Sequence, residues 1–218
     1  MKLNLGAGPN WENEGWHILD HKVEKNSGFK IKGNLNKINL KQNSCDLIFI
    51  SHTLEHIPHI QIQNVLTEIN RIMKKEATIR ILIPNLYDIA KAYVNNDSKF
   101  FKKAIDEDHS IRKDLGLGGM FMNFIVSPGQ DTILLDRNLN KFIAGYAHLY
   151  SYDFKMMKIL LSKCGFKNIT KKKFCQSKIK DFNTPCHILG KKPIYKNLNN
   201  KFYKKNNLIH EYKNGKYK

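Results

Sequence analysis

The feature that most narrows the fold is the run Leu47-Ile48-Phe49-Ile50, opened by Cys45-Asp46 and closed by the polar stretch Ser51-His52-Thr53. A strand that is apolar on successive residues has no face to give to water. It must lie inside a sheet covered on both sides, the place of a central strand in a parallel α/β sheet. Residues 78–83 read as another strand, β-branched and stopped by Pro84. Leu3 and Leu5 mark a third, and the chain then turns at once through Gly6-Ala7-Gly8. Glycines permit positive φ and let backbone approach a ligand closely, and in an open parallel sheet ligands sit outside the carboxyl ends of the strands. Two glycines after a strand are equally the makings of an ordinary tight turn, so the assignment depends on the residues further along the chain.

Trp16 to Asp20 reads as a strand with an acid at its carboxyl end, where dinucleotide folds place the acceptor for ribose hydroxyls; a plain strand-end turn is the other reading of Asp20. Only the short stretch after Pro9 separates the glycine turn from this strand. A full crossover needs about a dozen residues, so the first helix should be a turn or nearly absent. A weaker strand at residues 29–32 ends at Gly33-Asn34-Leu35. Over residues 60–75, Ile62, Val65, Leu66, Ile69, Ile72 and Met73 recur with helical period, and Lys74 and Lys75 fall in the last turn, where they complement the helix dipole. Asn85, Tyr87 and Asp88 come directly after the next strand.

Residues 95–147 break the alternation of strand and helix. Here 100–113 suit a charged helix and 116–122 a flexible apolar segment, together a substrate cover. A helix from about Tyr152 turns Phe154, Met157, Leu160 and Leu161 inward and ends at Gly165. Two closing strands are expected at 166–174 and 184–191, and residues 194–218 form a basic tail with seven lysines and one acid, Glu211. The expected class is therefore α/β: a Rossmann-like, doubly wound, mostly parallel sheet with an antiparallel last strand, in three layers α/β/α. One domain spans 1–193.

Leu3-Asn4-Leu5-Gly6-Ala7-Gly8, then Asp20, Asp46-Leu47-Ile48, Ser51-His52-Thr53-Leu54-Glu55-His56, residues 68–75 and Ile83-Pro84-Asn85-Leu86 resemble, in that order, the class I S-adenosylmethionine-dependent methyltransferases. More narrowly, they are similar to the short methyltransferase-domain proteins of type 11. The resemblance covers about residues 2–93 and resumes over 148–166. It departs from the family at Lys74-Lys75-Glu76-Ala77, where a Lys-Pro-Gly-Gly turn is usual, and at Asn34, where an acid is common. It implies S-adenosylmethionine as cofactor, with Gly6, Ala7 and Gly8 toward its methionine and ribose, Asp20 on the ribose, Asn34 and Leu35 beside adenine, and Ser51, His52 and Leu54 closing the pocket. It also implies methyl transfer, with O-methylation of a small-molecule or saccharide-type acceptor as the expectation. The alternatives are an RNA methyltransferase and a non-catalytic binding module of the same fold. His148 is the candidate base for a hydroxyl acceptor, against the commoner role of a loop histidine held by hydrogen bonds; Glu55 and His56 read either as helix-entry and packing residues or as part of the polar site loop, the first reading slightly ahead.

Composition enters through charge and cysteine. The net charge of +18 suits a polyanionic partner, yet only four of the 37 basic residues are arginine, the side chain that grips phosphate bidentately. Nucleic acid is therefore not the favoured partner, and compositional drift on a solvated surface accounts for the lysines. Four scattered cysteines without a Cys-x-x-Cys pair indicate neither disulfides nor zinc, so no metal site is expected, and the reading is of a cytoplasmic chain with no membrane span. Oligomeric state is not legible.

Overall fold

The computed structural model describes residues 1–102, 115–126, 148–172, 177–182 and 207–214. Strands β1 (Lys2–Leu5), β2 (Trp16–Asp20), β3 (Lys30–Lys32) and β4 (Cys45–Ser51) come first, with no helix between them. Helix α1 (Ile62–Ile72) leads directly into β5 (Met73–Pro84), followed by α2 (Leu86–Val94), α3 (Ser98–Lys102), α4 (Gly116–Ile125), α5 (Phe154–Lys163), β6 (Phe166–Lys172) and β7 (Asn207–Asn214). The seven strands form one sheet in the order β3-β2-β1-β4-β5-β7-β6, with β1 to β5 parallel and β7 antiparallel to both of its neighbours. No helix of the described residues is long and apolar enough to cross a membrane.

The period of two along each central strand divides the core. Leu3, Leu5, Ile48, Ile50, Ile79, Ile81 and Ile83 share one face with the α1 stripe of Ile62, Val65, Leu66, Ile69 and Ile72 and with Met157, Leu160 and Leu161 of α5. Ile18, Phe49 and Leu82 point to the other face, where Trp11, Trp16, Val23 and Phe182 cover them. The short connection after Pro9 thus fills with an aromatic plug the place where a full helix would pack. Trp11 meets Trp16 edge to face with ring centroids 6.2 Å apart. Arg80 is fully buried on this face, its guanidinium carbon 5.9 Å from the centre of the Phe182 ring.

Three expectations change. The helix read to residue 75 ends at Ile72, because the fully buried Met73 is a strand residue that pairs with Cys45. Lys74 and Lys75 belong to β5, and Lys74 Nζ holds Asp46 Oδ1 at 2.8 Å instead of facing a helix end. Arg71 takes the last-turn role and donates to the carbonyls of Ile38 and Leu40. Residues 116–122, read as flexible, lie in α4, where Gly119 and Met120 are buried and the helix packs on α2 and α3 through Ile89, Ala92 and Phe101. Packing here outweighs the low helix propensity of glycine. The third change is in the basic tail, which supplies β7, paired residue for residue with β5 from Thr78↔Lys213 to Pro84↔Asn207. Most of the expected charged helix, the expected strand at 184–191 and the middle of the substrate cover lie outside the described residues.

Since β7 is wedged between β5 and β6, a chain cut before Asn207 leaves two strand edges unpaired. It should melt more than about 10 °C below the full chain in circular dichroism, the equivalent of about 3 kcal/mol or more in a chain of this size. An unchanged transition would remove β7 from the sheet.

Candidate functional site

All parallel strands end at one edge, and there the chain must turn. Gly6, directly after β1, has φ 70° and donates its N–H to Leu19 O at 2.8 Å. A Cβ added to it would lie 2.3 Å from Thr53 Cγ2, so only glycine lets the backbone pass beneath that threonine. Thr53 is fixed in turn, its hydroxyl 3.1 Å from Ser51 O. Gly8 has φ 76° with open space where a side chain would stand, and its N–H donates to Asp20 Oδ2 at 2.8 Å. Asp20 Oδ1 accepts from Lys22 N–H at 2.8 Å. A carboxylate offers about four lone-pair sites. Two are taken by backbone amides, which leaves Asp20, only 6% exposed, with acceptor capacity at a cavity wall.

That cavity holds about 500 Å³, within the range of small-ligand sites. Gly6, Gly8 and Asp20 form one end; Gly33, Asn34, Leu35 and Asn36, after β3, form a side; His52, Thr53, His56, Ile57, Pro58 and Gln61, after β4, form the facing side. Asn36 Nδ2 donates to Gln61 Oε1 at 2.8 Å and joins the two sides. Apolar Leu19, Leu35, Ile57 and Pro58 alternate with amides and imidazoles, a lining suited to a ligand that is partly aromatic and partly polar.

Beyond the β4 side lies a cluster of ionisable groups. His52, held by its N–H to Leu82 O at 3.0 Å, sits at φ 50°, a left-handed conformation that a histidine adopts only at a cost of about 1–2 kcal/mol. From there its Nδ1 reaches Glu55 Oε1 at 3.1 Å. Glu55 belongs to the 3-10 turn Leu54–His56 and is buried, with Oε2 unpartnered. Burial works to raise its pKa; the His52 hydrogen bond and the nearby imidazoles of His52, His56 and His148 outweigh it and hold the carboxyl down at about 2. The N–H groups of Leu149 and Tyr150 donate to Glu55 O at 2.7 and 3.3 Å, which brings His148 to this turn. The His148 ring stands edge-on to His56 with centroids 5.0 Å apart, and its Nδ1 lies 3.0 Å from Phe124 O. A carbonyl only accepts, so Nδ1 carries the proton and Nε2 the lone pair. Burial lowers the His148 pKa and keeps the ring neutral.

Of the residues expected at the site, Gly6, Gly8, Asp20, Asn34, Leu35 and His52 line the cavity together. Ala7 packs against the tryptophan cluster, Leu54 is buried in the main core, and the Ser51 hydroxyl is enclosed. His148 stands beside His56, which is itself part of the wall. Sequence reasoning missed Ile57, Pro58 and Gln61; it placed Thr53 and His56 in a polar loop suited to a site, with packing the first reading of His56. Pro58 was the available signal, since it sets the second turn, His59–Gln61, that carries Gln61 to the cavity. In urea unfolding, Gly6→Ala should cost about 2–5 kcal/mol from strain plus collision with Thr53, and Gly8→Ala only about 1–2 from strain. Equal costs would contradict the close approach at Gly6.

Residues 17–81 match the family model described as a methyltransferase domain. No curated protein matches the chain. Among solved structures, a Haloferax volcanii protein named as a methyltransferase, in complex with the Trm112 methyltransferase activator, is 9% identical with a TM-score of 0.50, over 99% of this chain and 82% of its own. S-adenosylmethionine-dependent methyltransferases from Archaeoglobus fulgidus (15% identical, TM-score 0.49, 97% and 85% covered) and Thermotoga maritima (12%, 0.47, 98% and 81%) are similar as well. With its mostly parallel sheet and flanking helices, the chain has the fold of the class I S-adenosylmethionine-dependent methyltransferases, and its residues 17–81 are similar to the methyltransferase-domain model.

Proposed function

We propose that this chain transfers a methyl group from S-adenosylmethionine to the oxygen of a small-molecule or saccharide-type acceptor. The observation that carries the cofactor half is Asp20, a buried carboxylate held in place by two backbone amides and still able to accept hydrogen bonds at a cavity of fitting size. Gly6 and Gly8 would lie along the methionine and ribose, Asp20 would take the ribose hydroxyls, and Asn34 and Leu35 would flank adenine. Bound there, S-adenosylmethionine supplies an electrophilic sulfonium methyl, so the protein's own work is to hold the acceptor in line, exclude water and take charge of a proton.

For the acceptor half, the support is the group of imidazoles around Glu55. A hydroxyl must lose its proton to become a good nucleophile, whereas a carboxylate or phosphate need not. His52 and His56 stand at the cavity wall, and His148 behind them is a neutral imidazole oriented by Phe124. His148 would serve the acceptor's deprotonation through this cluster. The preference for a small or saccharide-type acceptor rests on the resemblance of the chain.

Calorimetry with S-adenosylhomocysteine should show binding by the wild type, weakened by about 1–3 kcal/mol in Asp20→Ala and by less in Asp20→Asn, which keeps one acceptor oxygen. A wild type that does not bind would defeat the methyl-transfer reading. On a hydroxyl acceptor, His148→Ala should lower kcat by about 10²–10⁴ and leave affinity for S-adenosylhomocysteine unchanged. Full activity of this variant would take His148 out of the reaction.

A further inference from the structure

Glu55 poses a physical problem that methyl transfer alone does not solve. The carboxyl group is 1% exposed; His52 satisfies Oε1, and Oε2 has no hydrogen-bond partner. Among the described residues no lysine or arginine pairs with it, in a chain of net charge +18. A buried acceptor left without a donor is costly. Around it stands a set of donors for a cation. Glu55, His56 and His148 each offer one ligand atom, and these three atoms lie within 4.8 Å of one another.

We propose that Glu55, His56 and His148 form a binding site for a divalent first-row transition-metal ion at the wall of the cavity. Two imidazoles and one carboxylate make a borderline donor set that suits Zn²⁺, Fe²⁺, Co²⁺ or Mn²⁺ and disfavours Mg²⁺ and Ca²⁺, which take oxygen. Three protein ligands leave coordination positions open, the arrangement of catalytic and not of structural sites. Metal–ligand bonds of about 2.0–2.2 Å place the donors of one ion closer together than the 4.8 Å that bounds this set.

The supporting contacts are those a metal site needs. A ligating histidine usually donates its other ring N–H to a carbonyl or carboxylate, which fixes the tautomer and the ring orientation. His148 does this through Nδ1 to Phe124 O. His52 holds the second carboxylate oxygen of Glu55. The amides of Leu149 and Tyr150 tie the His148 segment to the Glu55 carbonyl, so ligands far apart in sequence are held by backbone and not by chance rotamers. His56 belongs both to the donor set and to the cavity wall, which puts the ion beside the bound ligand. Its role there, resting on the methyl-transfer reading, is to anchor and acidify a hydroxyl acceptor as a Lewis acid. An imidazole that holds an ion does not also accept a proton, so His148 then acts as a ligand. The binding of the ion does not depend on that reading.

The experiment is titration of the full chain, freed of metal by chelator and dialysis, with Co²⁺ followed by visible absorption, and with Zn²⁺ by competition. One ion per chain should bind with ligand-field bands of imidazole and carboxylate coordination. Affinity should fall by more than about 100-fold in His148→Ala and in His56→Ala, and at least about 10-fold in Glu55→Gln. Each variant is admitted only if it binds S-adenosylhomocysteine or melts cooperatively as the wild type does. Absence of saturable Co²⁺ and Zn²⁺ binding to the folded wild type would overturn the site, and so would binding that survives all three substitutions. One bound ion in a chain that takes no S-adenosylhomocysteine would uphold the site and refute the methyl-transfer reading instead.

Discussion

The organisation of the cavity depends on one hydrogen bond, from the Gly8 N–H to Asp20 Oδ2. It ties the turn after β1 to the end of β2 and so fixes the backbone at Gly8, which has no side chain to anchor it. The direction of dependence runs both ways. Without the carboxylate, Gly8 loses the acceptor of its amide while Gly6 keeps its bond to Leu19 O, and without the amide the nearly buried Asp20 has lost a partner. Parallel pairing from Lys2↔Trp16 to Leu5↔Leu19 sets the distance between these elements, so the register of the sheet is what brings donor and acceptor within reach.

The sequence made much of this legible, for a local reason. Strand ends in a parallel sheet are marked by where apolar runs stop, and Gly6, Gly8, Asp20, Asn34 and His52 lie directly at such stops. The errors lie where composition or tertiary contact overrules the local pattern. Ile72 and Met73 are adjacent and equally apolar, and nothing local shows that one ends a helix while the next opens a strand. Lysines between 196 and 218 hid Leu208-Ile209, which lie in a strand. Glycines at 118 and 119 argue against a helix that packing onto α2 and α3 nevertheless forms.

The donor set of Glu55, His56 and His148 was the least legible part. Two of its members adjoin in sequence and suit packing nearly as well as a site; the third is brought to them by backbone hydrogen bonds that no spacing rule anticipates. Clusters of this kind are invisible to a search for cysteine and histidine spacings, because their pairing is set by the fold. The left-handed conformation of His52 is a further case, a residue placed at an energetic cost where it can hold the carboxylate.

The position of β7 also bears on the order in which the molecule is assembled. A strand that meets β5 at one side and β6 at the other, far from both in sequence, joins only after long loops have closed, and contacts of high sequence separation form slowly. Until then the five parallel strands present an open ladder along β5, and β6 has no strand to pair with. Such edges pair readily with any extended segment that comes near, including the same segment of a neighbouring chain. For this fold the hazardous period is therefore the interval before the wedge arrives, and conditions that lengthen it favour strand exchange between molecules over completion within one.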